Sequence, residues 1–109
     1  ELGNYEQAIT DYDQALELKP DQERIYLNRG IAHSQQGQFK SAIADYSKAI
    51  ALNENLAEAY ANRGITEAAR GEKDSAIADL ETAAKLYRDQ GNQERYQTVQ
   101  QSIDTLSER

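Results

Sequence analysis

Tyr5, Ile9, Tyr12 and Leu16 stand four, three and four residues apart, the spacing that puts apolar side chains on one face of a helix. Tyr26, Arg29, Gly30 and His33 mark a second helix, and Ala42, Ile43, Tyr46, Ala49 and Ile50 a third, with Gly37 between them. Near the other end Tyr96, Val99, Ile103 and Leu106 make a stripe on an otherwise polar, glutamine-rich segment. Stop and start signals sit between these runs. Pro20, just past Leu18, closes the first helix. Asn4 with Gln7, and Asn55 with Glu58, have the spacing of capping pairs.

The pattern repeats. Gly30 recurs at Gly64, 34 residues on, and Gly3, Gly37 and Gly71 keep the same interval. So do Ala8, Ala42 and Ala76; Ile9, Ile43 and Ile77; Asp11, Asp45 and Asp79; Ala15, Ala49 and Ala83; Leu18, Leu52 and Leu86. The chain divides into a half unit, 1–22, two full units, 23–56 and 57–90, and a different closing segment, 91–109. Within a unit the two glycines do different work. Gly71 falls between helices, where a tight turn asks for positive φ. Gly64 falls inside a helix, opposite the small Ala76, where a missing side chain lets two backbones approach. The closing segment has one apolar and one polar face, as the end of a repeat array requires.

At 34 residues per helix–turn–helix, residues 1–90 resemble the tetratricopeptide repeat family. Tyr26 and Tyr60 stand at the family's first aromatic position and Gly30 and Gly64 at its glycine. Ala42 and Ala76, then Tyr46 and Leu80, then Ala49 and Ala83 occupy the positions of the second helix, and Ala8, Tyr12, Ala15 and Pro20 do so in the half unit. Arg29 and Arg63 replace the usual leucine, His33 and Glu67 the usual tyrosine, Glu54 and Arg88 the usual proline. The resemblance implies an all-α fold: a right-handed superhelical solenoid of antiparallel helix pairs with a C-terminal capping helix, one domain over 1–109.

Charge and composition narrow the function. The net charge is −7, which disfavours a phosphate backbone as partner, so no nucleic acid is expected. No apolar run approaches the roughly 20 residues of a membrane helix, so no membrane partner is expected either. There is no cysteine, which removes disulfides, thiolate metal sites and thiol nucleophiles. The chain begins at Glu1, inside a helical pattern, and is read as a piece of a longer array with a cytoplasmic location. The half unit's apolar stripe then predicts either fraying of residues 1–18 or self-association through that helix.

Catalytic chemistry finds no support. His33 falls at a packing position, the carboxylates show no pocket-forming pairing, and neither a glycine-rich phosphate loop nor a calcium-loop spacing is present. No enzyme activity, metal or cofactor is expected. Arg29 and Arg63 each need a carboxylate if buried. The periodic aspartates suggest Arg29 with Asp11 and Arg63 with Asp45, across successive units; the other reading has these arginines bind a ligand carboxylate. The resemblance also implies a concave groove lined by first helices. Its faces carry Arg24, Leu27, Asn28, Ile31 and Gln35 in one unit, and Glu58, Asn62 and Ile65 in the next. Asn28 and Asn62 can each bridge a peptide backbone, or be plain surface residues. Some relatives clamp a chaperone's C-terminal carboxylate with cations beside such an asparagine. Leu27, Ala61 and Glu58 occupy those places here, so no such clamp is expected. The function expected is a protein–protein interaction scaffold that holds a peptide or partner protein in the groove. The alternatives are a purely structural array segment or a regulatory module fused to another domain.

Overall fold

The computed structural model describes residues 2–108, so Glu1 and Arg109, the two ends of the segments assigned above, lie outside the described residues. The described residues form six α-helices and no strand: α1 (Leu2–Leu18), α2 (Glu23–Gln35), α3 (Phe39–Leu52), α4 (Ala57–Ala69), α5 (Lys73–Asp89) and α6 (Gln93–Ser107). They fall into two compact units, one of α1–α3 and one of α4–α6.

Three turns share one device. Gly37, Gly71 and Gly91 have φ of 77°, 83° and 77°. The residue after each donates its N–H five residues back: Gln38 to His33, Glu72 to Glu67 and Asn92 to Tyr87, at 2.9, 2.9 and 2.8 Å. This satisfies a helix-end carbonyl that would otherwise lack a partner. Helix starts depart from expectation. Asn4 lies inside α1, and α4 begins after Leu56, whose side chain makes no capping bond. The start of α4 is tied instead by Gln90, which donates to the Asn55 carbonyl at 3.0 Å. A true side-chain cap occurs at Asn92, which accepts from the Arg95 N–H at 3.1 Å.

In the first unit Leu16, Leu27, Ala32, Ala42, Tyr46 and Ala49 are buried. The other stripe residues of α1, Tyr5, Ile9 and Tyr12, are half-buried. In the second unit Ala57, Ala61, Ala76, Leu80, Ala83 and Ala84 join Tyr87, Val99, Ile103 and Leu106 in one core, so the apolar stripe of α6 is sealed. The helical glycines allow each pair to close. A Cβ on Gly64 would lie 3.0 Å from the Ala76 carbonyl oxygen and 2.9 Å from Leu80 Cγ. On Gly30 it would lie 2.7 Å from the Tyr46 ring.

Candidate partner-binding site

Each helix pair is tied by a partly buried ionic cluster, with different partners from those the spacing suggested. Arg29 donates from Nε and Nη2 to the two oxygens of Asp45, at 2.9 and 2.8 Å, and from Nη1 to Asp13 at 2.8 Å. It does not pair with Asp11, which accepts from Gln7 within α1. Arg63 donates in the same bidentate way to Asp79, at 2.7 and 2.8 Å, and not to Asp45, whose oxygens Arg29 occupies. The reason is geometric. The close approach at Gly30 and Gly64 places each arginine opposite the aspartate of its own hairpin, 16 residues on. On α1, Asp11 and Asp13 point about 200° apart, and only Asp13 faces α2. Both arginines are thus engaged by aspartates of the chain itself. Their hydrogen bonds to Asp45 and to Asp79, outweighing burial, hold both guanidinium groups above the ordinary arginine value.

A third residue completes each cluster. His33 Nε2 lies 3.7 Å from Asp45, and its Nδ1 lies 2.8 Å from Gln38 Oε1. At the same place in the second unit stands Glu67, 9 % exposed, with Oε1 buried and without a hydrogen-bond partner. Burial, then the hydrogen bond and charge of Asp79, push its carboxyl up to about 8. Burial also pushes Asp79 up, but hydrogen bonds from Arg63 and Glu67 outweigh it and hold Asp79 below its ordinary value. The proton between the two carboxyls thus belongs to Glu67. None of these groups lines the grooves described next.

The predicted partner-facing residues separate into four situations. Leu27 is 1 % exposed and belongs to the core, one helical turn from Gly30 on the same face of α2; it cannot be displayed to a ligand. Arg24 and Gln35 are exposed near the two ends of α2. Asn28 and Ile31 line a groove of about 310 Å³ on the first unit, opposite Asn4, Tyr5, Ala8 and Tyr12 of α1. Glu58, Asn62 and Ile65 line a groove of about 350 Å³ on the second unit, closed by Tyr87 of α5 and by Glu94, Arg95, Thr98 and Val99 of α6. It runs on through Ile65 and Thr98 into a further space of about 390 Å³ lined by Ala68, Leu80, Gln101, Ser102, Thr105 and Leu106. Ile65, 56 % exposed, stands where the two meet.

The α6 wall was not foreseen from the sequence. Thr98, Ser102 and Thr105 follow Arg95 at spacings of three, four and three. That row runs one position behind the apolar stripe of Tyr96, Val99, Ile103 and Leu106, so the periodicity already placed it at the rim. Arg95 stacks over the Tyr87 ring at 6.0 Å and makes no salt bridge among the described residues. The described residues hold no cluster of His, Asp or Glu with metal-binding geometry, and no helix among them is long and apolar enough to cross a membrane.

Comparison with known proteins agrees with this architecture. Family models described as TPR repeat and tetratricopeptide repeat match residues 1–37, 23–56 and 57–94. No curated protein matches the chain. Among solved structures, the TPR2B domain of yeast Sti1 in complex with an Hsp70 peptide is 26 % identical; the match covers 97 % of this chain and 85 % of that one, with a TM-score of 0.91. The first TPR of Spaghetti (RPAP3), bound to the HSP90 peptide SRMEEVD, is 25 % identical over 94 % and 82 % of the two chains, with a TM-score of 0.77. The Yersinia enterocolitica secretion chaperone SycD, in complex with a peptide of the translocator YopD, shares the fold at 21 % identity, a TM-score of 0.90 and coverage of 96 % and 81 %. With the repeat spacing, the helix pairs and these matches in agreement, the chain belongs to the tetratricopeptide repeat family.

Proposed function

We propose that this chain is a non-catalytic interaction module that binds a peptide segment of a partner protein along the trough between α4 and α6. One observation carries the reading: a large apolar side chain, Ile65, is left more than half exposed at the centre of a groove rimmed by hydrogen-bonding groups. Isolated apolar side chains on a surface need no explanation, but one lying in a polar-rimmed groove is the usual form of a ligand site. Asn62 beside it offers both a carbonyl and an amide to a peptide backbone. Binding of chaperone peptides by the similar domains of Sti1 and RPAP3 supports the reading.

The test is a pull-down with the chain, followed by direct titration of each captured protein against wild type and an Asn62→Ala/Ile65→Glu variant. Loss of affinity in the variant, with the helical circular dichroism unchanged, is the expected result. Partners that bind both proteins equally would overturn the assignment of the site.

A further inference from the structure

The ionic cluster of the second unit adjoins the wall of the trough. Ala68 follows Glu67 on α4 and Leu80 follows Asp79 on α5, and both line the space shared with Ile65 and α6. Leu80 is also the side chain that closes on the bare backbone of Gly64, beside the Ala76 carbonyl. Glu67 stands near the turn end of this seam. Its own carbonyl accepts the Glu72 N–H across the Gly71 turn, at 2.9 Å, which holds its backbone in place.

The first unit supplies a comparison. His33, Gln38 and Asp45 there become Glu67, Glu72 and Asp79 in the second unit, 34 residues on. One carboxyl has become three. Asp79 faces Glu67 from α5, Glu72 from the turn, and Arg63 from α4 itself, stacked over the Tyr60 ring. Arg63 gives Nε and Nη2 to Asp79, and Arg70 lies 3.4 Å from Glu72. Within this set two cations answer two carboxylates, and Glu67 is balanced only while it keeps its proton.

The proton serves as a bond, donated from Glu67 to Asp79. Oε1 of Glu67 is buried and accepts no hydrogen bond. Once ionised, Glu67 loses its bond to Asp79, faces a like charge across the seam, and carries charge on a buried oxygen that has no donor. Hydrating that oxygen requires water between α4 and α5. We propose that Glu67 is a proton latch on the trough wall. Protonated, it ties the end of α4 to Asp79 of α5; deprotonated, it loosens the seam where Gly64 meets Ala76 and Leu80, and so shifts the wall that Ala68 and Leu80 give the trough. The first unit has His33 in the latch position and is not gated in this way. Since the closed seam holds the proton and its carboxyl is raised to about 8, the closed form prevails in acid and gives way as pH rises.

Carbon-13 spectra of the Glu67 carboxyl and NOEs between the Gly64 α protons and the Leu80 methyl groups are followed together in the full chain, from pH 6 to 9.5. The carboxyl titration and the loss of the Gly64–Leu80 NOE should share one midpoint, at or below about 8. The counterpart in the first unit, the NOE between the Gly30 α protons and the Tyr46 ring, should persist throughout. Glu67→Gln keeps the shape and an amide donor but cannot ionise, so it should retain the Gly64–Leu80 NOE to the top of the range. A constant Gly64–Leu80 NOE while Glu67 titrates would overturn the latch. Loss of both NOEs together, the mark of general unfolding, would do the same, as would equal loss in wild type and Glu67→Gln.

Discussion

Replacing Glu67 by glutamine should make the protein more stable at alkaline pH and leave it nearly unchanged in acid. The folded carboxyl is raised from 4.5 to about 8, chiefly by burial and then by Asp79. In the unfolded chain the same group gives up its proton near 4.5. Between those two values the folded state holds the extra proton, so the stability this group confers is full below about 4.5. It drains away as pH rises and is gone above about 8. At about 1.4 kcal/mol per pH unit, the ceiling on that loss is about 5 kcal/mol. Arg63, the neighbouring cation, is 22 % exposed at the side chain, so water reaches the cluster and screens it; a loss of about 2 kcal/mol is the working figure. Glutamine keeps the shape of Glu67 and an amide donor toward Asp79 but cannot ionise. Urea unfolding followed by circular dichroism, at steps from pH 5 to 9, gives the difference in stability between variant and wild type. That difference should grow by about 2 kcal/mol over the range, which corresponds to about 10 °C in Tm at pH 8.5 for a chain of this size. A difference independent of pH, or one that grows toward acid, would refute the assignment of the proton to Glu67.

The remaining predictions concern packing and pairing. Asp79→Leu alone should cost about 3 kcal/mol by removing the bidentate partner of Arg63, whereas Arg63→Met with Asp79→Leu should cost less, measured as a double-mutant cycle by urea unfolding. Asp45→Ala should destabilise far more than Asp13→Ala, and Asp11→Ala should be close to neutral, because only Asp45 is both buried and bidentate to Arg29. Gly64→Ala gains about 1 kcal/mol of helix propensity. It should still lower stability by a net 1–2 kcal/mol or so, because the Ala76 carbonyl, as backbone, has little room to retreat from the new Cβ. Deleting 92–109 should bare Ala84 and Tyr87 and lower Tm or solubility on thermal scanning.

How far the fold could be read in advance depended on period. A 34-residue interval marked both helix pairs, because glycine and alanine at the contact positions have a steric reason to recur. The same interval misled on the ion pairs. Asp11, Asp45 and Asp79 recur faithfully, but recurrence does not say whether Arg29 looks backward or forward. That is decided by the hairpin geometry that brings Asp45 opposite it. Leu27 went astray for a related reason. A helix of 13 residues offers several faces, and position alone did not distinguish the face shared with Gly30 from the face open to a ligand. The expected helix starts were out of register, Asn4 lying inside α1 and α4 starting two residues after Asn55, because helix starts are the least constrained part of a periodic pattern. The groove was half legible. Asn62 and Ile65 followed from the resemblance, whereas the α6 wall lies outside the repeat and was visible only as a polar row beside an apolar stripe.

The central claim, that the α4–α6 trough is where a partner binds, is tested most directly by ¹⁵N–¹H correlation spectra of the full chain titrated with a captured partner peptide. Shifts confined to Glu58, Ala61, Asn62, Ile65 and the Glu94–Thr105 face of α6, and abolished by Ile65→Glu, are the predicted result. Saturable shifts that leave those amides in place and appear elsewhere on the chain would contradict it.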